Sequence, residues 1–321
     1  MSSIPCITVT MIFEGSALNR DEKIAGNILS IKKLQKDGKI YSFISKNAIR
    51  HYLFTTLKYA YNWKPSGIKE YKGVIQFDLI NYNIENNEEL DVFGYMSIEK
   101  INNTEVTLTR KSPLGITKAV SIFPYEGDMA FYSNHDLVNR AKEQGLEANP
   151  NPFNKEEHLS LYKVSFTIDS FNLGKGVKIV TQSNNKILPI NIPIEEKKRR
   201  ILDILSAIRN GLYSHSSGEL NTIVPVFLVA GLVKVPCPIF HPYIYLQWDS
   251  MAQKYVVYGL NDVLSNGWLW TDSGNSNNNE KKIYIYYCSI IDIASQDRYW
   301  KDWEELGKDI EKYFSILENN D

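Results

Sequence analysis

The sequence predicts an α+β fold in which two helices pack on one sheet. Apolar, β-branched segments indicate strands, and two segments with apolar residues at helical spacing indicate amphipathic helices. In chain order they read strand–helix–strand–strand–helix–strand, over residues 5–15, 46–62, 104–123, 158–168, 196–212 and 222–235. That order is the ferredoxin-like (RRM-type) arrangement. Long polar segments between these elements predict large insertions.

Composition places the chain among ordinary globular proteins. It has 321 residues, of which 43% are hydrophobic and 23% charged, with a net charge of −1. Its three cysteines form no CxxC pair, which indicates buried thiols in a reducing compartment and neither a disulfide scaffold nor a zinc site. The N-terminal residues lack a signal-peptide pattern, and the apolar run Ile223–Val233 is too short to span a bilayer. We expect a cytoplasmic protein with no membrane contact.

The strongest local charge lies near the N-terminus. After the predicted strand Ile7–Phe13, a long lysine-rich segment leads to a helix that begins after Ser45. Residues 1–60 carry nine basic and four acidic residues, although the whole chain is nearly neutral. A basic surface of this kind suits a phosphate backbone met along one face. A solvated loop whose lysines maintain solubility would give the same pattern.

The first helix strengthens the phosphate interpretation. Ser45 is a suitable N-cap, and an apolar stripe marks the buried face. Lys46 and Arg50 are four residues apart and share another face. Both lie in the first turns, where free backbone N–H groups and the helix dipole favour anions.

The second helix starts near Pro193 and stops at Gly211, and the basic run Lys197–Arg200 is interpreted as its solvated first turn. A small polar loop follows, Ser214–Gly218, before the predicted strand Thr222–Val235. Glycine and serine allow close backbone approach and offer donors to phosphate. An ordinary helix-to-strand connection would look the same.

Three other regions complete the chain. Residues 63–100 are mixed, with a predicted strand over residues 74–80 and a short helix over residues 91–99. Residues 124–157 are irregular and combine glycines and prolines with aromatic residues, which fits either a flexible arm or a surface loop packed by its own aromatics. Residues 236–321 show strands at Tyr243–Trp248 and Lys282–Ile291 and a final helix over residues 297–318.

Several short motifs occur in a distinctive order between residues 5 and 234. They are Leu18-Asn19-Arg20-Asp21, Ile44-Ser45-Lys46-Asn47-Ala48-Ile49-Arg50, Asp91-Val92-Phe93-Gly94-Tyr95-Met96, Arg110-Lys111-Ser112-Pro113-Leu114 and the helix-then-glycine-loop at Arg200–Gly218. In this order they resemble the backbone (guide-RNA-binding) subunit family of type I CRISPR-Cas Cascade complexes, and more closely its DevR-like type I-B subtype. Residues 238–321 add no motif.

The resemblance implies an architecture. An RRM-like palm would span residues 1–235, with an inserted finger region at about 63–100 and a thumb-like arm at about 124–157. A C-terminal extension, residues 236–321, would pack on the palm.

The resemblance also implies an RNA-binding structural subunit that polymerises along a CRISPR guide RNA and presents its bases for pairing with target DNA. Its partners would be the guide RNA, target DNA through the guide, other copies of itself and other Cascade subunits. The expected RNA-binding residues are Asn19, Arg20, Lys32, Lys33, Lys46, Asn47, Arg50, Arg110, Lys111, Ser214, His215, Ser216, Ser217 and Gly218. The expected arm residues are Tyr125, Met129, Phe131 and Tyr132.

Catalytic signatures are missing from the sequence. It contains no HExxH, Walker A, GxSxG or paired-cysteine motif, and His215 has no evident carboxylate partner. We therefore expect no catalytic residue, no metal and no cofactor. Two alternatives stay open: an RNA endonuclease that uses Asp21, as in type III relatives of the family, and a stand-alone regulator that binds nucleic acid as a monomer or dimer.

Overall fold

The computed structural model describes residues 5–16, 28–102, 104–150, 152–181, 186–216, 219–271, 281–295 and 299–318. Four expected RNA-binding residues, Asn19, Arg20, Ser217 and Gly218, lie outside the described residues. Asp21, the residue on which the endonuclease alternative depends, also lies outside them.

The described part of the chain is rich in strands. Strands β1 to β23 are, in chain order, Cys6–Ser16, Ile28–Leu29, Lys33–Lys36, Lys39–Ile44, Ile68–Tyr71, Val74–Phe77, Tyr95–Ile101, Thr104–Arg110, Leu114–Ile116, Ala119–Ser121, Asp128–Tyr132, Phe153–Glu157, Leu159–Ile168, Lys175–Val180, Lys186–Asn191, Leu212–Ser216, Glu219–Ile223, Pro225–Val233, Tyr245–Asp249, Lys254–Tyr258, Ile283–Tyr287, Ile291–Ile293 and Lys301–Asp302. Helices α1 to α6 are Lys46–Tyr61, Glu88–Phe93, His135–Glu143, Ile194–Asn210, Leu260–Val263 and Glu304–Glu318. The protein is a mixed α/β fold.

A central sheet organises the molecule. Its strand order is β23-β21-β18-β1-β13-β10-β4-β3, and β9 also pairs with β13. β1 lies between β13 and β18 and is antiparallel to both. The predicted strand over residues 104–123 contributes only β9 and β10, because β8 pairs with β7 in a separate hairpin. Alternation in the sequence reveals a strand but not the partner it joins.

One face of the sheet packs on helices. Ile7, Val9, Met11 and Phe13 alternate along β1 and share a core with α1, α4 and α6. Ser45 caps α1 by accepting the Ala48 N–H at 3.2 Å, as predicted. Helix α4 ends at Gly211, whose φ of +106° favours glycine, so this predicted stop is also confirmed.

The other face of the sheet is covered by residues 239–264. Ile12 and Phe227 pack there against Phe240, Ile244 and other apolar side chains of this segment. A sheet with one solvated face would leave room for a ligand, but here both faces of β1 are buried. A ligand therefore has no access to the faces of the sheet at β1. The groups that could contact it lie on loops, hairpins and helix ends at the edges of the sheet.

A polar network crosses this second interface. Thr10 Oγ1 lies 2.7 Å from Ser165 Oγ, which lies 2.8 Å from His241 Nδ1. Lys163 Nζ donates to the carbonyl oxygens of His241 and Ile244 at 2.8 and 2.7 Å. Burial lowers the pKa of Lys163 to about 8, with help from the nearby Lys36. Burial also lowers the pKa of His241 to about 4, and the positive charges of Lys163 and Lys36 act in the same direction.

The region after α1 forms a smaller unit with its own core. Leu79, Ile84, Leu90 and Tyr95 pack there with the hairpin formed by β14 and β15. The predicted helix over residues 91–99 is instead the end of α2 followed by strand β7. Gly94 separates the two with a φ of +70°, and a Cβ there would lie 2.4 Å from the Arg110 carbonyl oxygen. No other residue type fits this position without moving backbone.

A buried ionic cluster ties this unit to helix α4. Asp91 is fully buried and pairs with Arg110 and with Arg200, whose Nη1 lies 2.7 Å from Asp91 Oδ2. The Gly174 N–H also donates to Asp91, at 2.9 Å. The interpretation of Lys197–Arg200 as a solvated turn is therefore wrong, since Lys197 and Arg200 are buried and Arg199 pairs with Glu88, Glu196 and Asp203.

The remaining elements differ from expectation in detail. Within residues 124–157, β11 and β12 form an antiparallel pair and helix α3 lies between them in the chain, where no regular element was predicted. Cys6 is buried as expected, but Cys237 is exposed. Among the described residues, no helix has the length and hydropathy needed to cross a membrane.

Replacing Asp91 by alanine should destabilise the fold by about 3 kcal/mol or more, because two buried guanidinium groups would lose their shared carboxylate. Denaturant unfolding monitored by circular dichroism measures this loss. The matched control is Asp136→Ala, which breaks an exposed ion pair to Arg140 on α3 and should change stability by at most about 0.5 kcal/mol. Equal unfolding midpoints for the two variants would contradict a structural role for Asp91.

His241 should make the free energy of unfolding fall as the pH drops. The folded protein holds this imidazole neutral down to about pH 4, whereas the unfolded chain takes up a proton near pH 6.5. The stability contribution is complete above about pH 6.5 and is lost as the pH falls to about 4. Urea unfolding of His241→Gln across this range should show a shallower pH dependence than the wild type, and parallel curves would exclude the effect.

Candidate nucleic-acid interface

The arm, residues 124–157, is joined to the basic segment that precedes α1. Strand β12 pairs in parallel with β2, through Asn154 with Ile28 and Lys155 with Leu29. Glu156 binds the same segment: it accepts from Ser30 Oγ at 2.5 Å, from the Ile31 N–H at 3.0 Å and from Lys33 Nζ at 2.7 Å. One carboxylate thus holds two parts of the chain that are far apart in sequence.

The electrostatics of Glu156 fit this role. Burial by itself would raise the pKa of its carboxyl group, but the hydrogen bonds from Lys33, Ser30 and Ile31 bring the pKa below its ordinary value. Lys33 Nζ also lies 5.1 Å from the centroid of the Tyr125 ring. The expected RNA-binding Lys33 and the expected arm residue Tyr125 therefore lie together.

The predicted loop Ser214–Gly218 is largely strand. β16 and β17 pair from Leu212 opposite Ile223 to Ser216 opposite Glu219, so this segment is a hairpin. Ser214 is buried, and its hydroxyl has no hydrogen-bond partner among the described residues, whereas His215 is exposed. The sequence could not show which of these side chains is buried. Turn residues indicate that a hairpin is present, but its register decides which side chains face the core.

The hairpin formed by β16 and β17 contacts both other segments. Asn221 accepts from the Ser16 N–H at 2.9 Å and donates to the Ser16 carbonyl, which fixes the end of β1. Lys155 of the arm pairs with Glu219 of the hairpin and lies 3.2 Å from Glu157. The structure therefore brings together the basic segment, the arm and the hairpin, three regions that the sequence analysis singled out separately.

The start of α1 carries an exposed residue of the expected basic set. Lys46 and Asn47 are exposed at the first turn. Arg50 is half-buried: its guanidinium lies 4.6 Å from the Phe93 ring centroid and 3.4 Å from Glu89. Lys32 is half-buried, and its carbonyl oxygen accepts from the Phe43 N–H.

Arg110 and Lys111 have different surroundings. The Arg110 side chain is only 8% exposed and is held by Asp91 and by the carbonyl oxygens of Asn172 and Lys175. The structure therefore places Arg110 in the buried ionic cluster and not at an open surface. Lys111 is exposed at the rim of a small cavity of about 230 Å³.

The arm side chains divide into two groups. Met129 and Phe131 project from one side of β11 and are exposed. Tyr132 stacks on Phe153 with the ring centroids 5.3 Å apart, so part of the arm is packed by its own aromatics. An open cleft of about 510 Å³ lies at the base of the arm, between Phe123–Asp128 and His158–Ser160. Burial lowers the pKa of His158 and raises that of Tyr162 to about 12, so both groups are neutral near pH 7.

Sequence reasoning missed the residues that assemble this surface. Lys155, Glu156, Glu219 and Asn221 lie in no motif, and two are acidic residues next to a segment chosen for its positive charge. No local signal identifies them, because their importance comes from partners more than 60 positions away. Within the described ranges, no group of three or more His, Cys, Asp or Glu side chains is placed to hold a metal ion.

Comparison with known proteins identifies the family. Residues 7–252 match the model of the CRISPR-associated negative auto-regulator DevR/Csa2 family. The chain belongs to this family. The match contains the buried ionic cluster, the arm and the hairpin that contacts it.

Individual relatives agree with the assignment. The chain is 25% identical over 187 residues to the CRISPR-associated protein Cas7/Cst2/DevR of Myxococcus xanthus (strain DK1622), a match that covers 53% of this chain and 59% of that relative. The aligned region thus spans less than two thirds of the relative's length. The predicted membership in the Cas7-like backbone-subunit family is confirmed.

Two solved structures share the fold. One is a chain of a CRISPR RNA-guided surveillance complex, pre-nicking, with a TM-score of 0.56 and 8% identity, covering 97% of this chain and 99% of that one. The other is a chain of a CRISPR RNA-guided surveillance complex, with a TM-score of 0.50, 10% identity and the same coverage. At these identities the likeness concerns the fold.

Replacing Glu156 by alanine should release the basic segment from the arm. The Ile31 amide, which donates to this carboxylate, should then exchange with solvent at least about tenfold faster, because its buried hydrogen bond is lost. Hydrogen–deuterium exchange followed by mass spectrometry reports on the peptide that contains Ile31. Glu126→Ala, an exposed change on the arm, is the control and should leave that peptide unchanged. Unaltered exchange in the Glu156 variant would show that β2 is held without it.

Proposed function

We propose that this protein is an RNA-binding structural subunit that polymerises along a CRISPR guide RNA as the backbone of a type I-B, Cascade-type surveillance complex. The convergence of the basic segment, the arm and the β16–β17 hairpin at the end of β1 carries the proposal. Basic and polar side chains from three segments, together with exposed arm residues, suit a ligand that follows one edge of the molecule.

The sheet supports a ferredoxin-like palm. The four inner strands follow the order β18-β1-β13-β10, with α1 and α4 on one face. These strands correspond to the fourth, first, third and second strands of the ferredoxin-like order. An RRM reads bases on the open face of such a sheet. In this protein that face is covered by residues 239–264, so RNA would be held by the edge segments and by contacts to its backbone.

Backbone contacts would leave bases free. Specificity would then come from base pairing between guide and target DNA, as in other RNA-guided effectors. Copies would assemble head to tail into an open helical filament, with other Cascade subunits as further partners. We propose a structural and not a catalytic role, in the cytoplasm.

A purification experiment tests the proposal. The protein expressed with a repeat–spacer array should copurify with RNA of one defined length, in assemblies that contain several copies per RNA. Sizing with light scattering and denaturing gels measures both quantities. RNA of random length, or a monomer free of RNA under all conditions, would contradict the filament.

Lys46→Ala should weaken RNA binding by a similar factor for every guide sequence, because the lysine would contact phosphate and not bases. The slope of log K against log salt should fall by about 0.7 in magnitude for this lost contact. Fluorescence anisotropy at several salt concentrations measures the slope. Lys308→Ala is the control, since this exposed lysine lies on α6 and pairs with Glu305. A loss that depends on base sequence would show that Lys46 reads bases.

One alternative has a specific observation behind it. The matched family model describes its members as negative auto-regulators, which favours a stand-alone nucleic-acid-binding regulator. Such a protein would bind duplex DNA from its own promoter as a monomer or dimer. Preferential binding of that duplex over single-stranded RNA, without larger assemblies, would favour this function over the filament.

A further inference from the structure

An exposed aromatic surface lies where the β16–β17 hairpin meets the second half of α1. The register pairs Tyr213 with Thr222 and His215 with Leu220, so these side chains share the outer face of the hairpin. Tyr59 of α1 adjoins them, with its ring centroid 5.5 Å from that of Tyr213. We call Tyr59, Tyr213, His215 and Leu220 the platform.

The platform rings contact one another and are open to solvent. The Tyr213 and His215 rings stack with centroids 6.1 Å apart and planes 18° from parallel. Tyr59 is 76% exposed, Leu220 63% and Tyr213 45%. The Tyr213 N–H donates to Thr56 Oγ1 at 2.8 Å, and this bond locks the hairpin to α1. Large apolar side chains gain nothing from such exposure in the free subunit, which indicates a surface that acts in contact with a ligand.

The inner face of the hairpin is anchored to the rest of the protein. Leu212 and Ile223 are buried in the main core. Asn221 binds Ser16, and Glu219 pairs with Lys155 of the arm. The hairpin therefore has one face fixed to the protein and one face that carries two aromatic rings, Tyr213 and His215, outward.

The charge of α1 favours an anionic ligand. The helix contains Lys46, Arg50 and Lys58 and no acidic residue, and Lys58, which precedes Tyr59 in the chain, is exposed. The carboxylate of Glu219 is on the inner side of the hairpin, where it pairs with Lys155. Aromatic rings beside a helix with two exposed lysines suit single-stranded nucleic acid, since bases stack on the rings and phosphates meet the cations.

We propose that the platform stacks unpaired bases of single-stranded RNA. This inference rests on the proposed RNA-binding function and adds a second kind of contact to it. Phosphate contacts at Lys46 would set the path of the backbone, whereas stacking on Tyr213 and His215 would fix bases without regard to their identity, because every base offers a π-face. The platform would also limit how many guide bases per subunit remain available to pair with target DNA.

The experiment compares a single-stranded RNA 20-mer with a matched oligomer that carries abasic sites, both bound to the full-length protein. The variants are Tyr59→Ala with Tyr213→Ala, the conservative pair Tyr59→Phe with Tyr213→Phe, and Phe171→Ala as a control on another exposed aromatic. The alanine pair should weaken binding of the intact RNA by about fivefold or more and leave binding of the abasic RNA within twofold of the wild type. The phenylalanine pair should bind both RNAs like the wild type, since the rings remain, and so should the Phe171 variant.

The outcomes separate this inference from the function on which it rests. If Lys46→Ala weakens RNA binding but the alanine pair does not, the RNA-binding function holds and the platform has no part in it. Equal losses for intact and abasic RNA would also overturn stacking. A change of oligomeric state without RNA in the alanine pair would assign the platform to contacts between copies. If the wild-type protein binds neither RNA, the proposed function itself is wrong.

Discussion

The buried carboxylate of Asp91 is the interaction on which the rest of the structure depends. It accepts from two arginines and one backbone N–H that come from three distant segments: the end of β8, Gly174 just before β14, and helix α4. For a buried carboxylate with a single partner, the desolvation penalty would exceed the electrostatic attraction. The arrangement is stable because the complete set of donors is present. Arg200 completes it by also donating to the Ile84 carbonyl. The Asp91–Gly94 and Arg110–Leu114 motifs are thus joined to each other by the buried ion pair between Asp91 and Arg110.

The central sheet imposes the second constraint. Its helix-covered face and the face covered by residues 239–264 are both apolar, and the second also contains the hydrogen-bonded network of Thr10, Ser165 and His241. Because neither face of β1 is open, exposed functional groups are confined to the ends and edges of the sheet. The arm, the basic segment and the β16–β17 hairpin all meet at the C-terminal end of β1, around Ser16.

The charged residues of the candidate interface serve two different purposes. Glu156 and Glu219 neutralise lysines that hold the segments together, whereas Lys46 and Lys58 stay exposed on a helix without acidic residues. Counting basic residues along the chain does not separate these two groups. The proposed mode of binding uses the exposed cations for phosphates and the exposed rings for bases, while the paired cations position both.

The sequence by itself determined the family and the main strands and helices of the central sheet. Helices α1 and α4, the strands β1, β13 and β18, and the motifs around Lys46, Asp91 and Arg110 follow from periodicity, capping and local order, since these depend on neighbours within a few positions. Tertiary structure alone decided that Arg110 and Arg200 are buried, that residues 104–110 leave the central sheet, and that Ser214–Ser216 belongs to a hairpin with Tyr213 and His215 turned outward. Each of these outcomes depends on a partner many residues away, and the free energy of a buried ion pair or a strand register is set by that partner and not by the local sequence.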